Sequence, residues 1–260
     1  MKKLTDNEKK LFYMGYKIEE NDPIGDELAF FHSIMCQVGL PRSKQTSLDF
    51  ERTCGNAAIY LRAGKIWDGE TFVQQELPYG AMPRLILSWL NTTALKNKTK
   101  EIDLGDSMSA FMSYLGLEVK GGKRGTILTF KKQIKSLAAC NITLGYTINN
   151  IATTYDGKPI QQFDAWLNEK NETQKSLWNG KITLSDEYYN TLKQRAVPID
   201  VRALLALKKS SLAMDVYAMF ADRLHRIGTR PVILHWKNLK IQFGQEYNGK
   251  EADKDFKKEY

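Results

Sequence analysis

Apolar positions at Leu28, Phe31, Ile34, Met35 and Val38 recur every three to four residues, which predicts a helix over residues 26–38 stopped by Gly39 and Pro41. Ala57, Ile59 and Leu61 alternate instead, ahead of Gly64 and the Asp68-Gly69 turn, so residues 56–77 read as short strands. Pro83 suits a first helical turn, and Leu85, Ile86, Trp89 and Leu90 supply an apolar face through Lys96. A short strand at 101–104 follows, then a helix carrying Met108, Phe111, Met112 and Leu115 and ended by Gly116. After the turn Lys120-Gly121-Gly122-Lys123, a third helix over 125–139 puts Ile127, Phe130, Ile134 and Leu137 on one side. Strands are predicted at 142–148, 160–167 and 181–184. Residues 194–198 read as a linker before helices at 201–207 and 212–227. The polar first 24 residues read as a short helix or arm.

Helix, strand, helix, turn, basic helix and hairpin is the element order of a winged helix. The expected class is therefore α+β, with an N-terminal arm (1–24), a first DNA-binding domain (25–194) and a second domain (195–260). Apolar runs are too short to span a bilayer and the first residues lack a signal-peptide core, so a cytoplasmic protein without membrane contact is expected.

Chemistry narrows by exclusion. Cys36, Cys54 and Cys140 are too scattered for a disulfide framework or a zinc signature, and His32, His225 and His235 include no metal-binding pair. Rolling-circle nicking needs such a pair beside its tyrosine, so that class is not expected. Residues 116–123 approach a phosphate-binding Walker loop, but Gly122 stands where its lysine belongs and no Ser or Thr follows Lys123. Asp200, Asp215 and Asp222 lie in helical runs, as capping or solvated acids. No active site, cofactor or metal is expected, and the chain reads as a non-enzyme.

Charge then points to a partner. The 260 residues carry a formal net charge of +8, and residues 117–140 hold Lys120, Lys123, Arg124, Lys131, Lys132 and Lys135 against Glu118 alone. Glycines before a helix N-terminus let backbone N–H groups approach phosphate, and the lysines would release counterions from DNA. Thr126, Thr129, Lys132 and Gln133 carry groups able to read base edges. Charge alone leaves a merely solvated helix face equally open. Arg84, near a helix N-terminus, is a secondary phosphate candidate. Trp236, Phe243 and Tyr217 read as core rather than as stacking platforms.

The run Leu77-Pro78-Tyr79-Gly80-Ala81-Met82-Pro83-Arg84-Leu85, with Leu104-Gly105-Asp106-Ser107, Phe111-Met112, Leu115-Gly116-Leu117 and Gly121-Gly122, resembles bacterial plasmid replication initiators of the RepA type. Val197-Pro198-Ile199-Asp200, Ala203-Leu204, Leu207-Lys208, Ser211–Tyr217 and Trp236-x-x-Leu239-x-x-Gln242-Phe243-Gly244 extend the resemblance over roughly residues 28–260. It implies tandem winged helices, the second incomplete at the C-terminus, where residues 252–260 look like the opening of a helix that family members continue. It also implies duplex DNA at a plasmid origin as partner, a host replication initiator and replicative helicase as further partners, and a homodimer. A transcriptional repressor without an initiation role is the alternative, and a general interaction module a third reading.

Overall fold

Thr5 and Glu8 form a reciprocal capping box that starts helix α1 (Asp6–Glu20): the Glu8 N–H donates to Thr5 Oγ1 at 3.3 Å, and the Thr5 N–H to Glu8 Oε2 at 2.6 Å. The structure is a computed structural model that describes residues 4–105, 107–122, 125–163, 180–229, 231–247 and 249–260. Helices and antiparallel sheets are mixed throughout.

The segment expected to be one helix over 26–38 is divided. A single 3₁₀ turn leads into strand β1 (Leu28–His32), and only Ser33–Val38 is helical, as α2. The cause is tertiary. Residues 28–32 find a partner far along the chain, and a ladder outweighs a local periodicity that fits both states. His32 ends the strand and caps α2, its Nδ1 accepting the Ile34 N–H at 3.3 Å.

Strands β2 (Asp49–Cys54) and β3 (Ala57–Arg62) form a hairpin whose alternating residues Ala57, Ile59 and Leu61 are buried as expected. A second hairpin follows, β4 (Lys65–Trp67) and β5 (Phe72–Gln74), turned by Asp68. Helix α3 (Ala81–Asn97), strand β6 (Glu101–Asp103), helix α4 (Met108–Tyr114) and helix α5 (Thr126–Ala139) agree with the sequence reading.

Strand β7 (Asn141–Ile148) leaves α5 and pairs with β3, then turns through Asn149 and Asn150 into β8 (Ile151–Gly157). Both asparagines have positive φ, 50° and 63°, which suits a tight two-residue hairpin. The four-stranded sheet has the order β2-β3-β7-β8. Strands β9 (Ile160–Phe163) and β10 (Lys181–Leu184) join β6 in a separate sheet ordered β6-β10-β9, with Ile182 opposite both Ile102 and Phe163. Residues 164–167 of the strand expected over 160–167 lie outside the described residues.

Helix α6 (Asp186–Arg195) was not apparent from apolar spacing; Ser185 caps it through the Tyr188 N–H at 3.2 Å. The expected linker at 194–198 is instead the end of α6 and the start of strand β11 (Ala196–Asp200), the partner of β1, with Leu28 opposite Asp200 and Phe30 opposite Pro198. Pro198 is tolerated because the sheet has only two strands and leaves an edge. Helices α7 (Val201–Ala206), α8 (Ser211–Arg226), α9 (Trp236–Phe243) and α10 (Ala252–Glu259) complete the described elements.

One apolar cluster runs from Ala29 to Ala218 and includes Ile59, Leu61, Ile86, Leu90, Ile102, Phe130, Ile134, Leu137 and Ile182. A smaller one joins Leu212 and Met219 of α8 to Leu239, Phe243 and Phe256. Helix α8 thus serves both clusters.

Candidate nucleic-acid interface

Helix α5 is held by its apolar side. Phe130, Ile134 and Leu137 are fully buried, and Phe130 meets Phe111 edge-on at 5.6 Å, itself edge-on to Trp89 at 4.6 Å. This aromatic chain fixes α5 against α4 and α3, and so fixes which residues face outward. Thr129 and Lys132 are exposed, with Lys131 and Lys135 half-buried beside them. Lys132 Nζ lies 2.9 Å from Glu76, and Lys44 Nζ lies 2.8 Å from the same carboxylate. The hydrogen bond from Lys44, reinforced by Lys132, holds the Glu76 carboxyl below the usual range. Lys44 comes from the loop after α2, and no local pattern marked it as a neighbour of α5.

Two candidates on this helix have structural duties. Gln133 is 2% exposed, and its Oε1 accepts the Tyr79 N–H at 2.9 Å, so it fastens the turn before α3 rather than reading a base. One helical position from Lys132 is enough to turn it inward. Thr126 accepts the Lys120 N–H at 3.0 Å and donates to the Glu118 carbonyl, closing the loop ahead of α5. That loop folds onto the helix end: the Ile127 N–H donates to Lys120 O at 3.3 Å and the Gly125 N–H to Gly122 O at 2.9 Å. Those two N–H groups are therefore committed to the loop and do not face a phosphate. A Cβ at Gly125 would lie 2.1 Å from Lys120 O, so the close backbone approach requires glycine. Lys120 is exposed and pairs with Glu118 at 2.7 Å. Lys123 and Arg124 lie outside the described residues.

Arg84, the secondary phosphate candidate, is turned into the protein rather than toward solvent. It is 4% exposed, and its five N–H groups reach Asp215 Oδ1 (2.6 Å) and Oδ2 (2.7 Å), Leu40 O (2.7 Å), Pro41 O (3.2 Å) and Gly80 O (2.6 Å). Asp215 and Asp222, read as solvated or capping acids, are both buried; Asp200 does cap α7, accepting the Arg202 N–H at 2.8 Å. A Cβ at Gly39, where φ is +61°, would meet the Asp215 carboxylate at 2.9 Å. Phe243 is buried and Tyr217 half-buried, as expected of core residues, whereas Trp236 is exposed.

The cysteines carry free thiols, and burial pushes that of Cys140 up to about 12 and those of Cys36 and Cys54 up as well. Among the described residues no cluster of His, Cys, Asp and Glu could hold a metal, and no helix is long and apolar enough to cross a membrane.

No curated protein matches the sequence. Two crystal structures of domains 2 and 3 of RctB share the fold. One, of the selenomethionine derivative, has a TM-score of 0.55 at 11% identity and covers 87% of this chain and 84% of that one. The other has a TM-score of 0.51 at 12% identity and covers 87% and 81%. The class is thus a mixed α/β protein of the RctB-domain kind, presenting a lysine-bearing amphipathic helix. The model of the plasmid encoded RepA protein family matches residues 77–237, from the turn before α3 into α9. The chain belongs to that family.

Proposed function

We propose that this chain is a plasmid replication initiator that binds duplex DNA sequence-specifically at an origin, with α5 as its recognition helix. The observation that carries this reading is the outward row of Thr129, Lys131, Lys132 and Lys135 on a helix inside the family-matched segment. The ammonium groups neutralise backbone phosphates, and the Thr129 hydroxyl is the remaining base-edge candidate. Sheet order supports a winged helix around this element: α3, β6, α4 and α5 are followed by β9 and β10, with β10 pairing back to β6, while β7 and β8 form an insertion that joins the other sheet. The described residues after β11 hold helices α7 to α10 and no strand that could form a second wing. A homodimer, contacts with a host replication initiator and replicative helicase, a cytoplasmic location and the absence of an enzymatic step are part of the same proposal.

The deciding experiment is plasmid maintenance. Deleting the gene should abolish replication of a plasmid carrying the matching origin, and supplying the protein in trans should restore it. Unchanged maintenance together with a derepressed neighbouring promoter would favour a repressor without an initiation role.

A further inference from the structure

A cleft of 530 Å³ opens between the end of the β2-β3-β7-β8 sheet and the C-terminal turns of α6 and α8, away from α5. Its volume falls in the range of small-ligand sites, roughly 300–1,000 Å³. Three arginines line it: Arg195, the last residue of α6, and Arg223 and Arg226 in the last turn of α8. A second concavity of 260 Å³ continues past Arg195 and Arg226 along α2. Among the described residues the one acid on either wall is Asp222, which is already paired with Arg226.

Arg195 and Arg223 meet no carboxylate within ion-pair distance among the described residues. The Arg195 guanidinium lies 3.8 Å over the Tyr146 ring, and its buried Nε has no hydrogen-bond partner. A buried donor left unpaired is costly, and among the described residues no carboxylate lines the larger cleft beside its three guanidinium groups, so the arrangement favours an anion. The planar donor fork of arginine matches phosphate oxygens two at a time. Ile148, Ile227 and Val232 provide an apolar wall on the same cleft. A cleft of this size admits a phosphate chain and excludes a duplex.

We propose that Arg195, Arg223 and Arg226 form a binding site for a small molecule with adjacent phosphate groups, either a nucleoside triphosphate or an inorganic oligophosphate. No hydrolytic step is assigned to it.

The test is isothermal titration of the full chain with sodium tripolyphosphate, ATP and GTP, with citrate as a phosphate-free polyanion. Saturable tripolyphosphate binding tighter than about 1 mM is expected. Arg223→Gln should weaken it about 10-fold or more and Arg195→Gln/Arg223→Gln further, with unliganded melting temperatures near the parent's. Arg223→Lys should retain part of the affinity. Tighter binding of ATP or GTP would assign the apolar wall to a nucleoside; equal binding would make the phosphate chain alone the ligand. Lys132→Ala should bind tripolyphosphate like the parent, which separates this site from α5. Absence of saturable binding, equal affinity in the double variant, or equal binding of citrate would overturn the proposal. So would a double variant that loses duplex affinity in a protein that binds no oligophosphate, because the arginines would then be a DNA surface.

Discussion

Arg84 and Asp215 are 131 residues apart in the chain and meet through two parallel hydrogen bonds of 2.6 and 2.7 Å, both side chains almost fully buried. This pair fastens the first turn of α3 to the second turn of α8, and the three carbonyls on the same guanidinium add the loop at 40–41 and the turn at Gly80. Breaking such a pair leaves one buried charge uncompensated. Arg84→Ala or Asp215→Ala should each cost about 3 to 5 kcal/mol of folding stability. Chemical denaturation of the variants, with DNA titration of the protein that remains folded, checks this. A loss of DNA affinity with stability unchanged would return Arg84 to the interface.

Duplex binding should weaken with salt along a log–log slope of roughly −4 to −5 if four to six phosphates are neutralised, at about −0.9 per phosphate. Changing Lys131, Lys132 or Lys135 to Ala should lower that slope by about one unit each and weaken cognate and random DNA alike. Fluorescence anisotropy at several ionic strengths measures both. For Lys132 the drop should be smaller when Lys44 is present, since Glu76 is shared between them.

Thr129 and Gln133 should part company. Thr129→Ala is expected to cost on the order of 1 to 3 kcal/mol on the cognate site and little on random duplex. Gln133→Ala should instead cost about 1 to 3 kcal/mol of stability by orphaning the Tyr79 N–H, with the cognate-to-random ratio unchanged. A competition assay beside a melting curve distinguishes the two outcomes.

Burial, aided by the Arg195 charge, pushes the His32 imidazole down to about 4 from its ordinary 6.5. The unfolded chain then binds a proton that the folded one refuses between those values. Stability is unaffected above pH ~6.5, falls as pH drops through the window, and levels off below ~4, a total of about 3 kcal/mol. His32→Asn keeps an acceptor for the Ile34 N–H and should flatten this part of the stability-against-pH profile. An unchanged profile would assign the acid sensitivity to other groups.

Helices α3, α4 and α5 were legible because each buries an apolar stripe whose spacing is set locally; α8 was legible as a helix, but Phe220 and Leu224 of its four-residue spacing are exposed while Met214, Ala218 and Met219 are buried. The amphipathic face of α5 was correct to the residue at Phe130, Ile134 and Leu137. Gln133 misled because composition marks it as polar while its angular position places it at the border of the buried face. Arg84 misled because its counter-charge and carbonyl partners come from three distant segments, which no window contains. The reading of 26–38 as one helix and of 194–198 as a linker failed together, since each is half of one ladder. Lys44, Glu76 and the arginine cleft likewise exist only after the chain has folded over itself.

The ladder between β1 and β11 also sets an order of events in synthesis. Residues 28–32 leave the ribosome long before 196–200, and until those arrive the earlier segment has α3, whose Thr92 accepts the Phe30 N–H at 2.9 Å, but no ladder partner. The nascent chain must therefore carry Leu28–His32 unpaired, or transiently coiled with α2, through most of translation. A pairing of such long sequence separation must meet its loop-closure entropy before the ladder rewards it. Truncated translation products lacking residues 196–200 therefore leave Leu28–His32 without its ladder partner.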